Sequence, residues 1–275
     1  MIEVIIPSIR RFAAHQLLAS LAMGSQVPDL VTIVSNETEL PLDLGMKVRI
    51  IRFETDYPYG AYDVVLRRNI AIFASEADII VTQDDDQVAP RGMIEACAEV
   101  LSHEPYCWGH HRWFDFRDGF RSLEDIVNLP AEAGAPRENF PNSFHGWESC
   151  YAGMSAHYRE TLVRLGGFDM LFLGRHGNED QSLGRRELRM FGKDRAYIWE
   201  PPFAWHPHEI IPYDKFPKTN LCDEHQLSSR WINGYEFVVC SRCPYQRPND
   251  VRGFFLDPLV LPYDPTRVEL SIIES

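Results

Sequence analysis

Long apolar runs and an excess of positive charge are both missing from this sequence. No hydrophobic stretch comes near the roughly 20 residues that a membrane-crossing helix needs. Among the 275 residues, 27 are Lys or Arg and 40 are Asp or Glu, which gives a net charge of −13. That balance has the wrong sign for a protein that grips a nucleic-acid backbone through a broad basic face. We therefore expect no membrane span, and nucleic acid is disfavoured but not excluded as a partner.

Cysteine is scarce as well. The chain has 6 cysteines, too few for a disulfide scaffold of this length, so thiols or metal ligands are the better interpretation. The N-terminus passes from Met1 directly into an apolar, strand-like segment and does not resemble a signal peptide. Together these features predict a cytoplasmic location.

Apolar segments that alternate between strand and helix patterns dominate the first two hundred residues. The predicted strands are 2–6, 30–34, 48–53, 78–82 and 196–199, and the predicted helices are 10–23, 62–75, 156–165 and 179–191. Such alternation favours an α/β fold with a Rossmann-like, mostly parallel sheet that is covered on both faces. Ligands in such folds bind beyond the carboxyl ends of the strands.

Three consecutive aspartates, Asp84 to Asp86, follow the strand predicted over 78–82. Three adjacent carboxylates repel one another, and a bound cation offsets that repulsion. Asp84 and Asp86 alternate along the chain and can face one side, where Mn²⁺ or Mg²⁺ would take their oxygens and keep waters and phosphates as remaining ligands. The alternative is a turn that caps the helix beginning near Pro90.

Several motifs occur in an order that resembles the family 2 glycosyltransferases. They are Ile2 to Ser8, Arg67-Arg68-Asn69, Asp84 to Asp86, Leu165-Gly166-Gly167-Phe168-Asp169 and Glu179-Asp180. The resemblance spans residues 2 to about 190. It implies a GT-A fold, that of the nucleotide-diphospho-sugar transferases, and a UDP- or GDP-linked sugar as donor.

The same resemblance implies a role for individual residues. The residues implied at the donor site are Pro7, Ser8, Glu37, Arg68, Asn69, Asp84 and Asp85. Pro7 and Ser8 would border the nucleotide, and Arg68 and Asn69 would approach its base or ribose. Glu37 would replace the aspartate that the family often has after its second strand. For Arg68, a solvated helix face is an equally good interpretation of the sequence.

Glycosyl transfer with inversion needs a carboxylate that accepts the proton of the acceptor hydroxyl. The Glu179-Asp180 pair begins a predicted helix and matches the family's Glu-Asp motif, so Asp180 is the predicted base and Glu179 its catalytic neighbour. The alternative is that both acids only stabilise the helix N-terminus through its dipole. The predicted acceptor-binding residues are Trp147, Glu148 and Asp169. Core packing is the alternative for Trp147, and a structural role is the alternative for Asp169.

A histidine is often present in GT-A enzymes to complete the metal shell. His206 and His208 follow the strand predicted over 196–199 and are the candidates for this role. A pair of histidines that is buried by aromatic rings or exposed in a proline-rich loop is the alternative.

Four residues near the C-terminus have the spacing of a Cys3His zinc site: Cys222, His225, Cys240 and Cys243. They flank a hairpin predicted over 230–239, and closed sulfur and nitrogen ligation would make a zinc ion structural. A redox role for the Cys240-Cys243 pair is the alternative. The sequence thus predicts a GT-A catalytic domain over 1–209 and a small zinc-stabilised appendage over 210–275.

The predicted function is a metal-dependent glycosyltransferase that moves a sugar to a hydroxyl acceptor. Two other functions fit parts of the sequence. A sugar nucleotidyltransferase would also use an α/β sheet with acidic metal ligands, but it would break its substrate between phosphates. A non-catalytic, zinc-containing adaptor would not depend on Asp180.

Overall fold

The structure is a computed structural model. It describes residues 1–8, 14–35, 44–55, 64–114, 122–130, 135–136, 154–169, 179–192, 198–207, 227–232, 235–240, 246–248 and 268–274. No helix within these ranges is long and apolar enough to cross a membrane.

Helices and strands alternate through the first half of the chain. The strands are β1 (Ile2–Ser8), β2 (Leu30–Ser35), β3 (Val48–Thr55), β4 (Ile79–Gln83), β5 (Tyr106–Phe114), β6 (Ala135–Pro136), β7 (Met154–Tyr158), β8 (Ile198–Pro207), β9 (Leu227–Ile232), β10 (Tyr235–Cys240), β11 (Gln246–Pro248) and β12 (Val268–Glu274). The helices are α1 (Ala14–Ala22), α2 (Val64–Ala74), α3 (Met93–Leu101), α4 (Leu123–Val127), α5 (Arg159–Leu165) and α6 (Glu179–Phe191).

One sheet organises the fold, with the strand order β12-β3-β2-β1-β4-β7-β5-β6 and with β8 paired to β5. β1 runs parallel to β2 and β4, and β2 runs parallel to β3. β7 is antiparallel to both β4 and β5, and β12 is antiparallel to β3. The expectation of an α/β sheet is confirmed, but the sheet is mixed rather than mostly parallel because β7 enters it in the reverse direction.

Both faces of the sheet are buried, which explains the nearly continuous apolar runs of its central strands. On one face, side chains of β1, β2 and β4 pack with α1 and α3 in a single hydrophobic cluster that includes Ile6, Leu17 and Ile94. Cys97 and Cys107 are buried free thiols in this cluster, and burial raises the pKa of Cys97 to about 12. Helix α2 packs on β1 and β2 and also contacts α5, which in turn contacts β7 and α6.

The helix predicted over 156–165 begins later than expected. Met154–Tyr158 is a strand, and only Arg159–Leu165 is helical. His157 and its neighbours pair with β4 on one side and with β5 on the other. A short segment that completes the middle of a sheet gains backbone hydrogen bonds on both edges, and this outweighs its local preference for helix.

The segment after residue 209 contributes to two sheets. β9, β10 and β11 form a separate three-stranded sheet, and the antiparallel pairing of β9 with β10 confirms the predicted hairpin. β12 instead pairs with β3 along the edge of the main sheet. The domain boundary at 209 stays a prediction, but the last strand of the predicted appendage belongs to the main sheet.

Candidate active site

The carboxyl ends of β1, β2 and β4 meet at one edge of the sheet, because these three strands are parallel. Ser8 ends β1 beside Ser35, which ends β2. Arg67 of α2 binds both ends: its Nη1 donates to the carbonyl oxygens of Ser8 at 3.0 Å and Val34 at 3.2 Å. The edge at which the sequence predicts ligand binding is therefore held together by a buried guanidinium that sequence reasoning missed.

The aspartate run begins directly after β4 at this edge. Asp85 is buried, and its Oδ2 accepts a hydrogen bond from Ser8 Oγ at 3.2 Å. Asp84 and Asp86 are partly exposed. Removal from bulk water raises the pKa of Asp84 to about 7; Arg68 opposes this shift, and Asp86 and Asp85 add to it. These carboxylates crowd one another as the sequence implies.

A capping role for the aspartates finds no counterpart in helix α3. The N-cap of α3 is Gly92, not an aspartate, and it makes no side-chain cap hydrogen bond. Asp84 and Asp85 follow β4 and contact α2 and β1, respectively.

Arg68 lies at the centre of the site and is almost fully buried. Its Nη2 donates to Asp84 Oδ1 at 2.6 Å, and its Nη1 contacts Asp180 Oδ1 at 3.2 Å and Glu179 Oε1 at 3.4 Å. The guanidinium also stacks over Phe168, 4.8 Å from the ring centroid. Burial lowers the pKa of Arg68, but the three carboxylates outweigh burial and raise it above its ordinary value. A solvated helix face for Arg68 is therefore wrong.

Glu179 and Asp180 form the first turn of α6, and both are largely buried. A helix N-terminus stabilises negative charge through its dipole and its unpaired N–H groups. The two acids face Arg68, which is more than 110 residues earlier in the chain. The fold thus brings the aspartate run and the Glu-Asp pair to one guanidinium.

Asn69 holds the turn that precedes α6. Its Oδ1 accepts from Phe168 N at 2.7 Å, and its Nδ2 donates to Phe168 O at 2.8 Å. The predicted contact of Asn69 with a nucleotide is untested, but its amide already binds the backbone of Phe168. Asp169, a predicted acceptor residue, is buried directly after Phe168 in the same turn.

Arg186 of α6 stabilises the other side of that turn, which sequence reasoning also missed. Its Nη1 donates to Leu165 O at 2.7 Å, and its Nη2 donates to Gly167 O at 2.8 Å. Carbonyl groups at a helix C-terminus lack intrahelical donors, and a buried arginine satisfies two of them here. The sequence carries no signal that singles out Arg186, because α6 contains several other charged residues.

Several predicted site residues lie outside the part of the chain that the structure describes: Glu37, Trp147, Glu148, His208, Cys222, His225 and Cys243. Pro7 is a buried residue of β1, paired in register with Val34. His206 lies in β8 opposite Trp113 of β5, and Cys240 ends β10 opposite Leu227. Only one of the four predicted zinc ligands is thus placed, and the zinc site stays a prediction.

Within the described ranges, no group of three or more His, Cys, Asp or Glu side chains is placed to hold a metal ion. A site with two carboxylate ligands is a different case, because Mg²⁺ and Mn²⁺ commonly complete their shells with waters and phosphate oxygens. Asp84 and Asp86 stay the predicted ligands of such a site.

No protein-family model and no curated protein matches the chain. Solved structures do match. S. aureus TarS, residues 1–349, has a TM-score of 0.53 and 15% sequence identity, over 75% of this chain and 60% of that one. TarS in complex with UDP-GlcNAc has a TM-score of 0.49 and 14% identity, over 76% and 59% of the two chains.

A third match is the mannosyltransferase PcManGT from Pyrobaculum calidifontis in complex with GDP-Man and Mn²⁺, with a TM-score of 0.47 and 18% identity over 78% of this chain and 58% of that one. The alignments therefore span about 60% of the TarS chain and slightly less of PcManGT. At 15% identity, the match to TarS 1–349 shows similarity of fold alone. The chain has a GT-A-like fold.

Proposed function

We propose that this protein is a glycosyltransferase that moves a sugar from a nucleotide-diphosphate donor to a hydroxyl acceptor. The proposal is supported by one juxtaposition above all. Arg68 contacts Asp84, at the end of β4, and Asp180, at the start of α6. Acidic groups suited to bind a metal and to accept a proton therefore lie on opposite sides of one side chain, within a GT-A-like fold.

The residues at the sheet edge fit a divalent cation. Three carboxylates contact the single guanidinium of Arg68, and Asp85 and Asp86 directly follow one of them. Glu179 Oε2 is buried, and within the described ranges it has no hydrogen-bond partner. Asp86 and Asp85 raise the pKa of Asp84 by repulsion, and a bound cation would offset that repulsion. Asp84 and Asp86 would hold Mn²⁺ or Mg²⁺, which would supply positive charge to the leaving diphosphate.

The protein's own groups have separate tasks in the proposed reaction. Asp180 accepts the proton of the acceptor hydroxyl as that oxygen attacks the anomeric carbon of the sugar. Arg68 binds the Asp180 carboxylate and so keeps it beside the metal-binding aspartates. Asp169 and the predicted residues Trp147 and Glu148 would contact the acceptor, and Glu37, Pro7, Ser8 and Asn69 would line the donor site. His206 or His208 would complete the metal shell.

Three further features belong to this proposal as expectations from the sequence. They are inversion at the anomeric carbon, a structural zinc in the C-terminal segment and a cytoplasmic location. The anomeric configuration of the product, read by NMR, tests the first. Metal analysis of the purified protein, before and after the Cys222→Ser substitution, tests the second.

The first experiment separates binding from chemistry. Wild type, Asp86→Asn and Asp180→Asn are mixed with UDP- and GDP-linked sugars, with and without Mn²⁺, and thermal unfolding and sugar release are followed. We expect a matching donor near 100 times its Kd to raise the wild-type Tm by about 5 °C when Mn²⁺ is present. Asp86→Asn should lose that metal-dependent rise.

Asp180→Asn should keep the rise in Tm but lose transfer by roughly 10²- to 10⁴-fold, because a general base contributes about that much. A rise in Tm that Asp86→Asn leaves intact would count against the metal assignment. Full activity of Asp180→Asn would count against the base and favour a non-catalytic role. Turnover of nucleoside triphosphates in place of nucleotide-sugars would identify a nucleotidyltransferase.

A further inference from the structure

A second buried cluster with ionisable side chains lies between helix α6 and the strands β5 and β7. Glu187 of α6 is fully buried, and its Oε1 lies 2.5 Å from His157 Nδ1. Its Oε2 accepts a hydrogen bond from Trp108 Nε1 at 2.9 Å. His157 belongs to β7 and Trp108 to β5, and both are fully buried as well. The carboxylate thus joins one helix to two strands.

This arrangement satisfies both oxygens of Glu187. Trp108 Nε1–H donates to Oε2, and Oε1 shares one hydrogen with His157 Nδ1. The His157 and Trp108 rings meet edge to face, with centroids 5.4 Å apart, and Tyr106 of β5 packs against Phe191 at the end of α6. Apolar contacts tolerate small shifts of a helix, whereas a buried carboxylate is satisfied at only one position.

Glu187 and Asp180 lie on the same side of α6. They are seven residues apart, which is two turns of helix and about 10 Å along its axis. A rotation or a slide of α6 that moved Asp180 would therefore also separate Glu187 from Trp108 and His157. The converse follows: loss of the buried hydrogen bonds would free the first turn of α6 to move relative to Arg68.

We infer that Glu187 is a positioning residue. Through its contacts with His157 and Trp108, it fixes the position of the first turn of α6, which carries Glu179 and Asp180, relative to Arg68. The inference rests on the proposed function where it concerns catalysis, but the placement of the helix can be measured without any substrate. The contacts of Glu187 are with His157 and Trp108. Its effect on Asp180 is transmitted through helix α6, which carries both residues.

The test compares Glu187→Leu, Glu187→Gln and Trp108→Phe with the wild type and with the matched control Leu188→Met. Glutamine keeps an acceptor for Trp108 Nε1–H, and its amide N–H can donate to His157 Nδ1 when that ring carries its hydrogen on Nε2; leucine keeps neither group. Trp108→Phe keeps an aromatic ring but removes the indole N–H together with part of the bicyclic ring system, so it also leaves a small cavity beside Glu187. Leu188→Met alters the adjacent residue while conserving apolar volume.

The substrate-free measurement is amide hydrogen exchange of peptides from residues 179–185. We expect Glu187→Leu to raise exchange there about tenfold or more, Trp108→Phe to raise it less, and Glu187→Gln and Leu188→Met to leave it near wild type. Should Glu187→Leu fail to fold, Trp108→Phe decides the question. Wild-type exchange in every folded variant would overturn the inference.

The kinetic measurement separates placement from binding. Glu187→Leu should lower kcat by roughly 10- to 100-fold, as expected for a misplaced catalytic group, with the KM for the donor unchanged within a factor of two. Glutamine should restore most of kcat. A kcat that Glu187→Leu leaves at the wild-type value would overturn the inference. If the wild type transfers no sugar, the proposed function fails, and hydrogen exchange alone decides on the placement of α6.

Discussion

At the scale of single residues, Arg68 determines the electrostatics of the candidate site. Its side chain is only 2% exposed, and it contacts one carboxylate from β4 and two from α6. A buried charge is costly to keep without partners, and removal of one partner costs more than the pair contributes. Arg68 therefore has a structural effect that is separable from any role in binding a nucleotide.

Replacement of Arg68 by methionine should destabilise the protein by about 3 kcal/mol, because three carboxylates lose their buried counter-charge. Urea unfolding measures this free energy. The matched control is Arg164→Met: Arg164 is exposed in the last turn of α5, so its loss should change the unfolding free energy by less than about 0.5 kcal/mol. Equal effects of the two substitutions would contradict the central position of Arg68.

Part of this site could be predicted from the sequence. The aspartate run and the Glu-Asp pair stand out because acidic residues follow an apolar strand and begin an amphipathic helix, and their positions at the sheet edge follow from parallel strands. The partners of Arg68 could not be predicted, since Asp180 is 112 residues away. Nothing local distinguishes a buried arginine from a solvated one. Asn69 shows the same limit, because its amide binds the backbone of Phe168, 99 residues away.

At the scale of elements, the turn between α5 and α6 depends on two consecutive glycines. Gly166 and Gly167 both have positive φ, 77° and 73°, a conformation that disfavours any side chain. A Cβ at Gly167 would also overlap Asn69 Oδ1, the atom that binds Phe168 N. The turn and the middle of α2 are therefore packed too closely to admit a methyl group.

The substitution Gly167→Ala should destabilise the protein by roughly 3 kcal/mol, of which about 1 kcal/mol is backbone strain and the rest is overlap with Asn69. Gly192→Ala is the control: Gly192 has a similar φ of 63°, and among the described residues no atom lies within 4 Å of a Cβ placed there, so only the strain should be measured. A double-mutant cycle with Asn69→Ala isolates the overlap. A coupling energy near zero would show that Asn69 does not limit Gly167.

The elements themselves were predictable where a single pattern persists. Strand β4, with its apolar run, and α6, which the sequence ends at Gly192, lie close to their predicted bounds. Strand β7 was missed because Met154–Tyr158 contains one small and two polar residues and resembles the start of the helix that follows it. Its strand conformation depends on β4 and β5, which no local window of sequence contains.

At the scale of the whole molecule, the last described strand, β12, forms one edge of the main sheet. β12 pairs along its full length with β3, from Val268 beside Thr55 to Glu274 beside Arg49. Two segments separated by about two hundred residues thus share one ladder. Composition alone suggested a separate appendage for everything after residue 209, because a Pro-rich segment conceals the strand that follows it. A long-range antiparallel pairing leaves no periodic signal in the sequence.

Removal of residues 268–275 should therefore weaken the main sheet and not only its periphery. β3 would become an edge strand with unpaired N–H and C=O groups, which favours association with other chains. Loss of several ladder hydrogen bonds should cost about 3 kcal/mol, or a Tm about 10 °C lower, and sedimentation velocity should detect concentration-dependent association. Deletion of Ser275 alone is the control and should change neither quantity. If the longer truncation kept the wild-type Tm and stayed monomeric, β12 would contribute nothing to the sheet, and the predicted boundary at 209 would gain support. If both quantities change, the segment after 209 is part of the unit that carries the candidate active site, since β3, β2, β1 and β4 are neighbours in one sheet.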